Sequence, residues 1–249
     1  MINSIAQWFA DPANWQGVDG IPSRLWEHLQ YAAIAVAIAM AIALPLGLLI
    51  GHTGRGTFLV GGTANSLRAL PTLGLLILAV LVLAPRIHND FAFTIPALFV
   101  LVLLGIPPIL TNTYAGVQNV DPQARDAASG MGMTGRQVLF RVELPCSMPL
   151  VMSGIRSATL QIIATATVAA YVSLGGLGRY VVDGLAQHNY AKMAAGALLV
   201  AALAVLVDFA LAGVQRLVVP RGLAVARTPS RARVRGRVRF NPRMDRRPA

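Results

Sequence analysis

Charged residues are scarce in this chain of 249 residues, at 12% of the sequence. Soluble domains carry about 25% charged residues, and 55% of this sequence is hydrophobic. The composition therefore excludes an ordinary soluble domain and favours a membrane protein. Cys146 is the single cysteine, which excludes a disulfide within the chain. The four histidines are scattered and no Cys/His cluster has metal-ligand spacing, so we expect no metal site.

Motifs of catalysis and nucleotide binding are also missing. The sequence has no Gly-x-x-x-x-Gly-Lys-Ser/Thr loop, so we expect the chain itself to bind neither ATP nor another cofactor. No nucleophile–base set or pair of carboxylates stands out, and we expect no enzymatic activity. The N-terminus lacks a basic region followed at once by an apolar core, so we expect no cleaved signal peptide.

Long apolar segments fill most of the chain. Each is long enough to cross the roughly 30 Å hydrocarbon core as a helix, and they occupy about residues 26–50, 57–83, 91–117, 150–174 and 192–215. A lipid-exposed backbone must satisfy its own hydrogen bonds, which favours helices. The sequence therefore predicts an all-α polytopic membrane protein with about five transmembrane helices. Pro71 should interrupt the second helix, and Gly105, Pro107 and Pro108 should break the third.

Composition divides the chain into three regions. Residues 1–25 mix tryptophans with turn residues, and we expect a short amphipathic helix at the outer membrane interface. Residues 26–217 form the transmembrane domain. Residues 218–249 are rich in arginine and too poor in apolar residues to build a core, which predicts a disordered tail. The tail could be solvated or could contact anionic membrane lipids, and nucleic acid is not expected as a partner.

Polar residues within the apolar segments are candidates for a transport path, because such groups are costly in lipid unless they face protein or water. They are Asn65, Arg68, Asn112, Gln161 and Thr165. The alternative for Asn65 and Arg68 is packing and helix capping, and Gln161 is the hardest to explain by packing alone. Arg156 is expected to reach the membrane surface from the first turns of its helix, and Asp208 is expected near an interface.

One interior stretch, residues 121–145, is too polar and too rich in glycine to be a membrane helix. Asp121 followed by Pro122 is a helix-start signature. The three glycines between residues 130 and 135 favour a break or a tight turn. A second short helix over residues 136–143 should end at Leu144 and Pro145. The stretch, which we call the knuckle, is thus predicted to be a helix–turn–helix between two membrane spans.

The knuckle resembles the signature loop of ABC-importer permeases, whose pattern is Glu-Ala-Ala, three residues, Gly, nine residues, Ile, one residue and Leu-Pro. Every spacing is matched, with Asp126 in place of Glu and Val142 in place of Ile. In that family the loop is a coupling helix that docks into a cytoplasmic ATPase subunit. The resemblance therefore implies an ATPase-coupling site formed by Asp126, Ala127, Ala128, Gly132, Met133, Leu144 and Pro145, of which residues 126–128, 132 and 133 should face the ATPase.

A wider resemblance covers roughly residues 26–217. Residues 142–185, 65–72 and 105–113 are similar to the permeases of glycine betaine, choline and carnitine importers, and a methionine-type permease is the nearest alternative. The resemblance implies a complex with a second permease subunit, identical or not, a cytoplasmic ATPase dimer that binds ATP and Mg²⁺, and an extracytoplasmic substrate-binding protein. A stand-alone secondary transporter or channel is the rival, yet the chain shows no internal repeat and no chain of intramembrane acids.

The distribution of Lys and Arg predicts the orientation in the membrane. One side collects Arg55, Arg125, Arg136, Arg141 and the arginines of the tail, and the other collects Arg24, Arg86, Arg179 and Lys192. The richer side should be cytoplasmic, which places the knuckle and the C-terminus inside and the N-terminus outside. We thus expect a multi-pass protein of the plasma (inner) membrane of a prokaryote, with residues 173–190 as an external loop that holds a short helix.

Overall fold

The computed structural model describes residues 2–56, 62, 70–88 and 91–219. These residues form helices and turns, with no strand among them. Nine α-helices in the described ranges carry the argument below, and they are α1 (Ile2–Ala10), α2 (Ile21–Thr53), α3 (Thr72–Leu83), α4 (Thr94–Gln118), α5 (Pro122–Gly130), α6 (Gly135–Val138), α7 (Leu144–Ala169), α8 (Gly178–Ala186) and α9 (Tyr190–Val218).

Within the described residues, four helical runs are long and apolar enough to cross a membrane, namely α2, α4, the continuous run Gly135–Val172 and α9. The shorter apolar helix α3 begins directly after Pro71 and occupies the second half of the predicted second span. Most of the first half of that span, including Asn65 and Arg68, lies outside the described residues, as does most of the arginine-rich tail. The prediction of an all-α polytopic membrane protein is confirmed.

Helix α4 contradicts the predicted break, because it runs without interruption through Pro107 and Pro108. Both prolines and Gly105 are buried, and α4 is the most deeply buried of the four long helical runs. A Cβ atom added at Gly105 would lie 2.6 Å from Cδ1 of Ile162 in α7. Gly105 therefore serves the close approach of two helices, and packing on both sides of α4 overrides the local tendency to break.

The helix after the knuckle also begins earlier than predicted. Residues Gly135–Val172 are helical throughout, and a π-helical turn over Leu139–Glu143 joins α6 to α7. The N–H of Leu144 bonds the carbonyl of Leu139, five residues back. Pro145 then lies in the first turn of α7, where its missing N–H costs little. Leu144 and Pro145 therefore continue a helix instead of ending one.

The early start of α7 places Arg156 farther along its helix than predicted, where it contacts Asp208 of α9. Arg156 lies twelve residues into α7 and not in its first turns. It forms an ion pair of 2.8 Å with Asp208, which lies in the middle part of α9 and not at its end. The two residues are 52 positions apart, and only the packing of α9 on α7 brings their side chains together.

Helix α4 lies between α2 and α7, and small residues make both contacts close. A Cβ atom added at Gly47 of α2 would lie 2.7 Å from Cβ of Thr113. A Cβ atom added at Gly154 of α7 would lie 2.7 Å from Cβ of Asn112. Such contacts let the helix backbones approach and gain van der Waals packing, which is a main source of helix association in lipid.

The end of the bundle opposite the knuckle is closed by α1 and by the predicted short helix, which is confirmed as α8. The ring of Trp8 packs edge-on against that of Tyr180, with centroids 5.3 Å apart. The Tyr180 hydroxyl donates a hydrogen bond of 2.6 Å to the carbonyl of Asp19. Burial raises the pKa of Tyr180 to about 12, so this hydroxyl keeps its proton. Glu27 of α2 accepts a hydrogen bond of 2.8 Å from the N–H of Gly176.

Candidate functional site

The knuckle begins as the sequence predicts. The Asp121 side chain accepts a hydrogen bond of 2.9 Å from the N–H of Gln123, and Pro122 occupies the first turn of α5. After α5 the chain turns at Gly132, whose φ of 84° lies in the left-handed region. A residue with a Cβ atom in that region costs about 1–2 kcal/mol. Thr134 and Gln137 then form a capping box that starts α6.

The predicted coupling residues divide into exposed and inward-facing groups. Asp126, Ala127 and Gly132 are exposed, and Met133 is half-buried. Ala128, expected on the same outward face, is 2% exposed and packs inside the knuckle instead. Each helical residue is rotated by 100° from the last, so Asp126 and Ala128 point to different sides of α5. Leu144 and Pro145 are half-buried at the start of α7.

A buried carboxylate holds the knuckle to the helical bundle. Glu143 is 1% exposed, and its Oε1 lies 3.0 Å from Nε of Arg125 in α5. Its Oε2 lies 2.7 Å from Nδ1 of His52 at the end of α2. A second nitrogen of the Arg125 guanidinium donates to the carbonyl of Val117 in α4. Glu143 therefore connects the knuckle directly to α2 and, through Arg125, to the last turn of α4.

The outer surface of the knuckle carries apolar side chains among arginines. Met131 is 73% exposed and Phe140 is 52% exposed, and Arg136 and Arg141 are exposed beside them. Methionine, aromatic residues and arginine are the types enriched at protein–protein interfaces. The exposed surface of the knuckle therefore has the composition of a docking site.

A second candidate surface runs along α7. Between residues 151 and 171, the residues that are not buried are Ser153, Arg156, Ser157, Leu160, Gln161, Ala164, Thr167, Val168 and Tyr171. At 100° per residue these nine positions cover about 140° of the helix circumference, and we call this sector the open face of α7. Six of the nine carry polar groups, which are costly against lipid. The open face is therefore suited to water or to a protein partner.

Three of the candidate path residues lie on or against one side of α7 but differ in exposure. Gln161 lies at one edge of the open face, and Thr165, one turn further along and rotated by only about 40°, is buried just beyond that edge. Asn112 of α4 is half-buried and contacts α7 at Gly154. Gln161 lies two turns along α7 from Gly154 and points to nearly the same side of that helix. The side-chain amide of Asn112 donates a hydrogen bond of 2.8 Å to the carbonyl of Pro108. Asn65 and Arg68 lie outside the described residues, so their predicted role stays a prediction.

Comparison with known proteins identifies the fold and the family. The family model for the inner membrane component of binding-protein-dependent transport systems matches residues 43–221. The chain belongs to this family. The match includes the knuckle and α7, so both candidate surfaces lie within the part that defines this permease family.

Curated relatives of this permease are similar over most of their length. It is 34% identical to the glycine betaine/carnitine/choline transport system permease protein OpuCB of Bacillus subtilis over 197 residues, which is 79% of this chain and 88% of the relative. It is 32% identical to the osmoprotectant import permease protein OsmW of Salmonella typhimurium over 203 residues, 82% of this chain and 94% of the relative.

Solved structures show the same fold. The inward-facing MetNI methionine ABC transporter includes a chain that matches with a TM-score of 0.69 and 21% identity, covering 78% of this permease and 94% of that chain. An amino acid ABC transporter with histidines matches with a TM-score of 0.59 and 20% identity, over 79% of this permease and 91% of that chain. This permease therefore shares the fold of these ABC-transporter chains.

Sequence reasoning missed two charged groups of this permease, the Glu143 cluster and the Arg156–Asp208 pair. The sequence did hold an indication of the Glu143 cluster. Glu143 directly precedes Leu144 and Pro145 at the start of an apolar helix, where a carboxylate without a partner is costly, so a partner could have been expected. For metals there is no comparable group, since no three His, Cys, Asp or Glu residues lie close enough to hold an ion in the described part of the chain.

Proposed function

We propose that this permease is a membrane subunit of an ATP-driven importer for glycine betaine, carnitine, choline or a similar quaternary amine. The observation that carries the mechanism is the knuckle, a compact exposed surface tied through buried Glu143 to two transmembrane helices. The substrate class is supported by curated relatives whose names include glycine betaine, carnitine or choline and which match along about four fifths of this chain.

The proposed partner of the knuckle is a cytoplasmic ATPase dimer, which binds ATP and Mg²⁺ while the permease binds no cofactor. Asp126, Ala127, Gly132 and Met133 contact the ATPase, and Met131 extends the contact. Ala128, Leu144 and Pro145 instead keep the shape of the knuckle. When ATP closes the ATPase dimer, the knuckle shifts and Glu143 passes the movement to α2 and α4. Coupling of this kind requires contacts that differ between the two states.

The proposed transport path runs along the open face of α7, with a second permease subunit, identical or related, on the opposite side. Gln161 and Asn112 contact the substrate or the water around it, and Asn65 and Arg68 are proposed for the same path. The burial of Thr165 supports packing as its role. In this arrangement the knuckle is cytoplasmic, the N-terminus is outside, and an extracytoplasmic binding protein delivers substrate at the end opposite the knuckle.

The test is uptake into proteoliposomes that contain the permease with its ATPase and binding protein. Radiolabelled glycine betaine, choline and carnitine are each supplied outside, with and without ATP inside. ATP-dependent uptake of one of them supports the proposal and identifies the substrate. Uptake without ATP or partner subunits would overturn it in favour of a stand-alone transporter. An active ATPase with no uptake of the three compounds would point to methionine or another small solute.

A further inference from the structure

An ion pair joins α7 to α9 at the edge of the open face. One terminal nitrogen of the Arg156 guanidinium lies 2.8 Å from each carboxylate oxygen of Asp208, and Nε donates to Oδ1 over 3.0 Å. The other terminal nitrogen donates to the side-chain oxygen of Gln215 over 3.1 Å. This two-point geometry is typical of a guanidinium bound to a carboxylate.

Both charges lie well inside helical runs that are long and apolar enough to cross a membrane. At 1.5 Å per residue, Arg156 is ~18 Å from the first residue of α7 and ~20 Å from the last. Asp208 is ~15 Å from the end of α9 at Val218 and ~27 Å from its start at Tyr190. Yet the Arg156 side chain is 30% exposed and that of Asp208 is 31% exposed. Charges at this depth avoid lipid and mark a pathway or a protein contact.

The surroundings of the pair are apolar on one side and polar on the other. On one side, α2, α7 and α9 enclose a groove of about 320 Å³ whose lining is almost wholly apolar, including Met40, Met152, Val207 and Leu211. On the other side lies the open face of α7, where Ser153, Ser157 and Gln161 offer polar groups. The pair therefore lies between this apolar groove and the open face, at the edge of the proposed path.

We propose that Arg156 and Asp208 form a binding site for the two opposite charges of a zwitterionic substrate during its passage. This inference rests on the proposed function. A substrate carboxylate binds the Arg156 guanidinium either together with Asp208 or in its place. The planar guanidinium can donate two parallel hydrogen bonds to a carboxylate. The quaternary ammonium group, which has no hydrogen-bond donor, is attracted to the Asp208 carboxylate by charge alone. Gln215 supports Arg156 while Asp208 is shared.

The site favours glycine betaine and carnitine over choline. All three carry a trimethylammonium group, but choline ends in a hydroxyl where the other two have a carboxylate. Choline therefore leaves the Arg156–Asp208 pair undisturbed and gains only the attraction to Asp208, which the adjacent Arg156 charge offsets. Glycine betaine gains a charge-assisted contact with Arg156 as well.

The test uses the double substitution Arg156→Gln/Asp208→Asn. It removes both charges together, so that no lone charge is left in the membrane, and the two amides can still hydrogen-bond. ATP-driven uptake of glycine betaine and of choline is measured with the same binding protein, whose own preference cancels between wild type and variant. We expect the ratio of glycine betaine to choline uptake to fall at least tenfold.

A matched control is Arg179→Gln/Asp183→Asn, which removes an ion pair of 2.7 Å in the external helix α8 and should leave the ratio unchanged. If both uptakes fall by the same factor in the membrane variant, or neither changes, the pair is structural and the proposal is wrong. Equilibrium binding of radiolabelled glycine betaine to the solubilised complex without binding protein gives a second measurement. We expect the membrane variant to lose this binding, and retained binding would overturn the proposal.

Failure of this inference is distinguishable from failure of the proposed function. If the wild-type complex shows no ATP-driven uptake of any quaternary amine, the proposed function fails before the variants are compared. If the wild type takes up glycine betaine and the double variant does so equally well, the importer assignment stands and only the Arg156–Asp208 site is refuted.

Discussion

Replacing Glu143 by glutamine is expected to loosen the knuckle from the helical bundle. The substitution keeps the size of the side chain and one hydrogen-bond acceptor, but it removes the negative charge between Arg125 and His52. Arg125 then retains its charge with only uncharged acceptors as partners, among them the carbonyl of Val117. The substituted residue itself is almost fully buried, so water cannot take the place of the lost carboxylate.

The size of the effect follows from burial. Removing one partner of a buried ion pair costs about 3–5 kcal/mol. The Arg125 side chain is 26% exposed, so water compensates part of its unpaired charge, and we expect a loss at or below the lower end of that range, about 2–3 kcal/mol. For a chain of this size each kcal/mol lowers the Tm by about 2–4 °C, so the variant should melt roughly 5–10 °C below wild type.

Thermal unfolding of the purified complex measures the loss, and the ratio of ATP hydrolysed to substrate imported measures coupling. We expect Glu143→Gln to lower the Tm and to raise the ATP cost of each imported molecule, because the knuckle no longer moves α2. Arg141→Gln, an exposed change in the same turn, should shift the Tm by no more than about 2 °C.

A double-mutant cycle decides whether the contact with Arg125 is the cause. In the variant Glu143→Gln/Arg125→Gln, neither charge of the pair remains without its partner. Its loss of stability should therefore be smaller than the sum of the losses in the two single variants. Additive losses, or a Glu143→Gln variant as stable as wild type, would refute the role given to this cluster.

Three further changes test other parts of the structure. Gly132→Asp, at a positive φ on the exposed turn, should abolish assembly with the ATPase or ATP-driven uptake, whereas Gly130→Asp should retain both; normal uptake by the first variant would contradict the coupling role. Gly154→Ala should destabilise the fold by about 1–3 kcal/mol in thermal unfolding, because its Cβ meets α4 at 2.7 Å, and Gly213→Ala, with open space around it, should not. Gln161→Leu should lower uptake while the complex still assembles, and unaltered transport kinetics would remove this residue from the path.

The start of the knuckle was predictable because its signals are local. Asp121 caps the first turn of α5 through an atom two residues away, and Gly132 takes a backbone angle that other residues avoid. The break expected in α4 was wrong for the opposite reason. Proline weakens a helix locally, but the burial of Pro107 and Pro108 between two neighbouring helices outweighs that local cost.

The amino-acid sequence by itself determined the membrane-spanning character, the number of apolar segments and the capped helix and glycine turn of the knuckle, because hydrophobic runs, caps and glycine turns act over a few residues. Only the tertiary structure decided that Ala128 points inward and that Glu143 meets His52. It also decided that Arg156 meets Asp208. These contacts join residues up to 91 positions apart, and their geometry depends on how the helices pack and rotate, which no short stretch of sequence specifies.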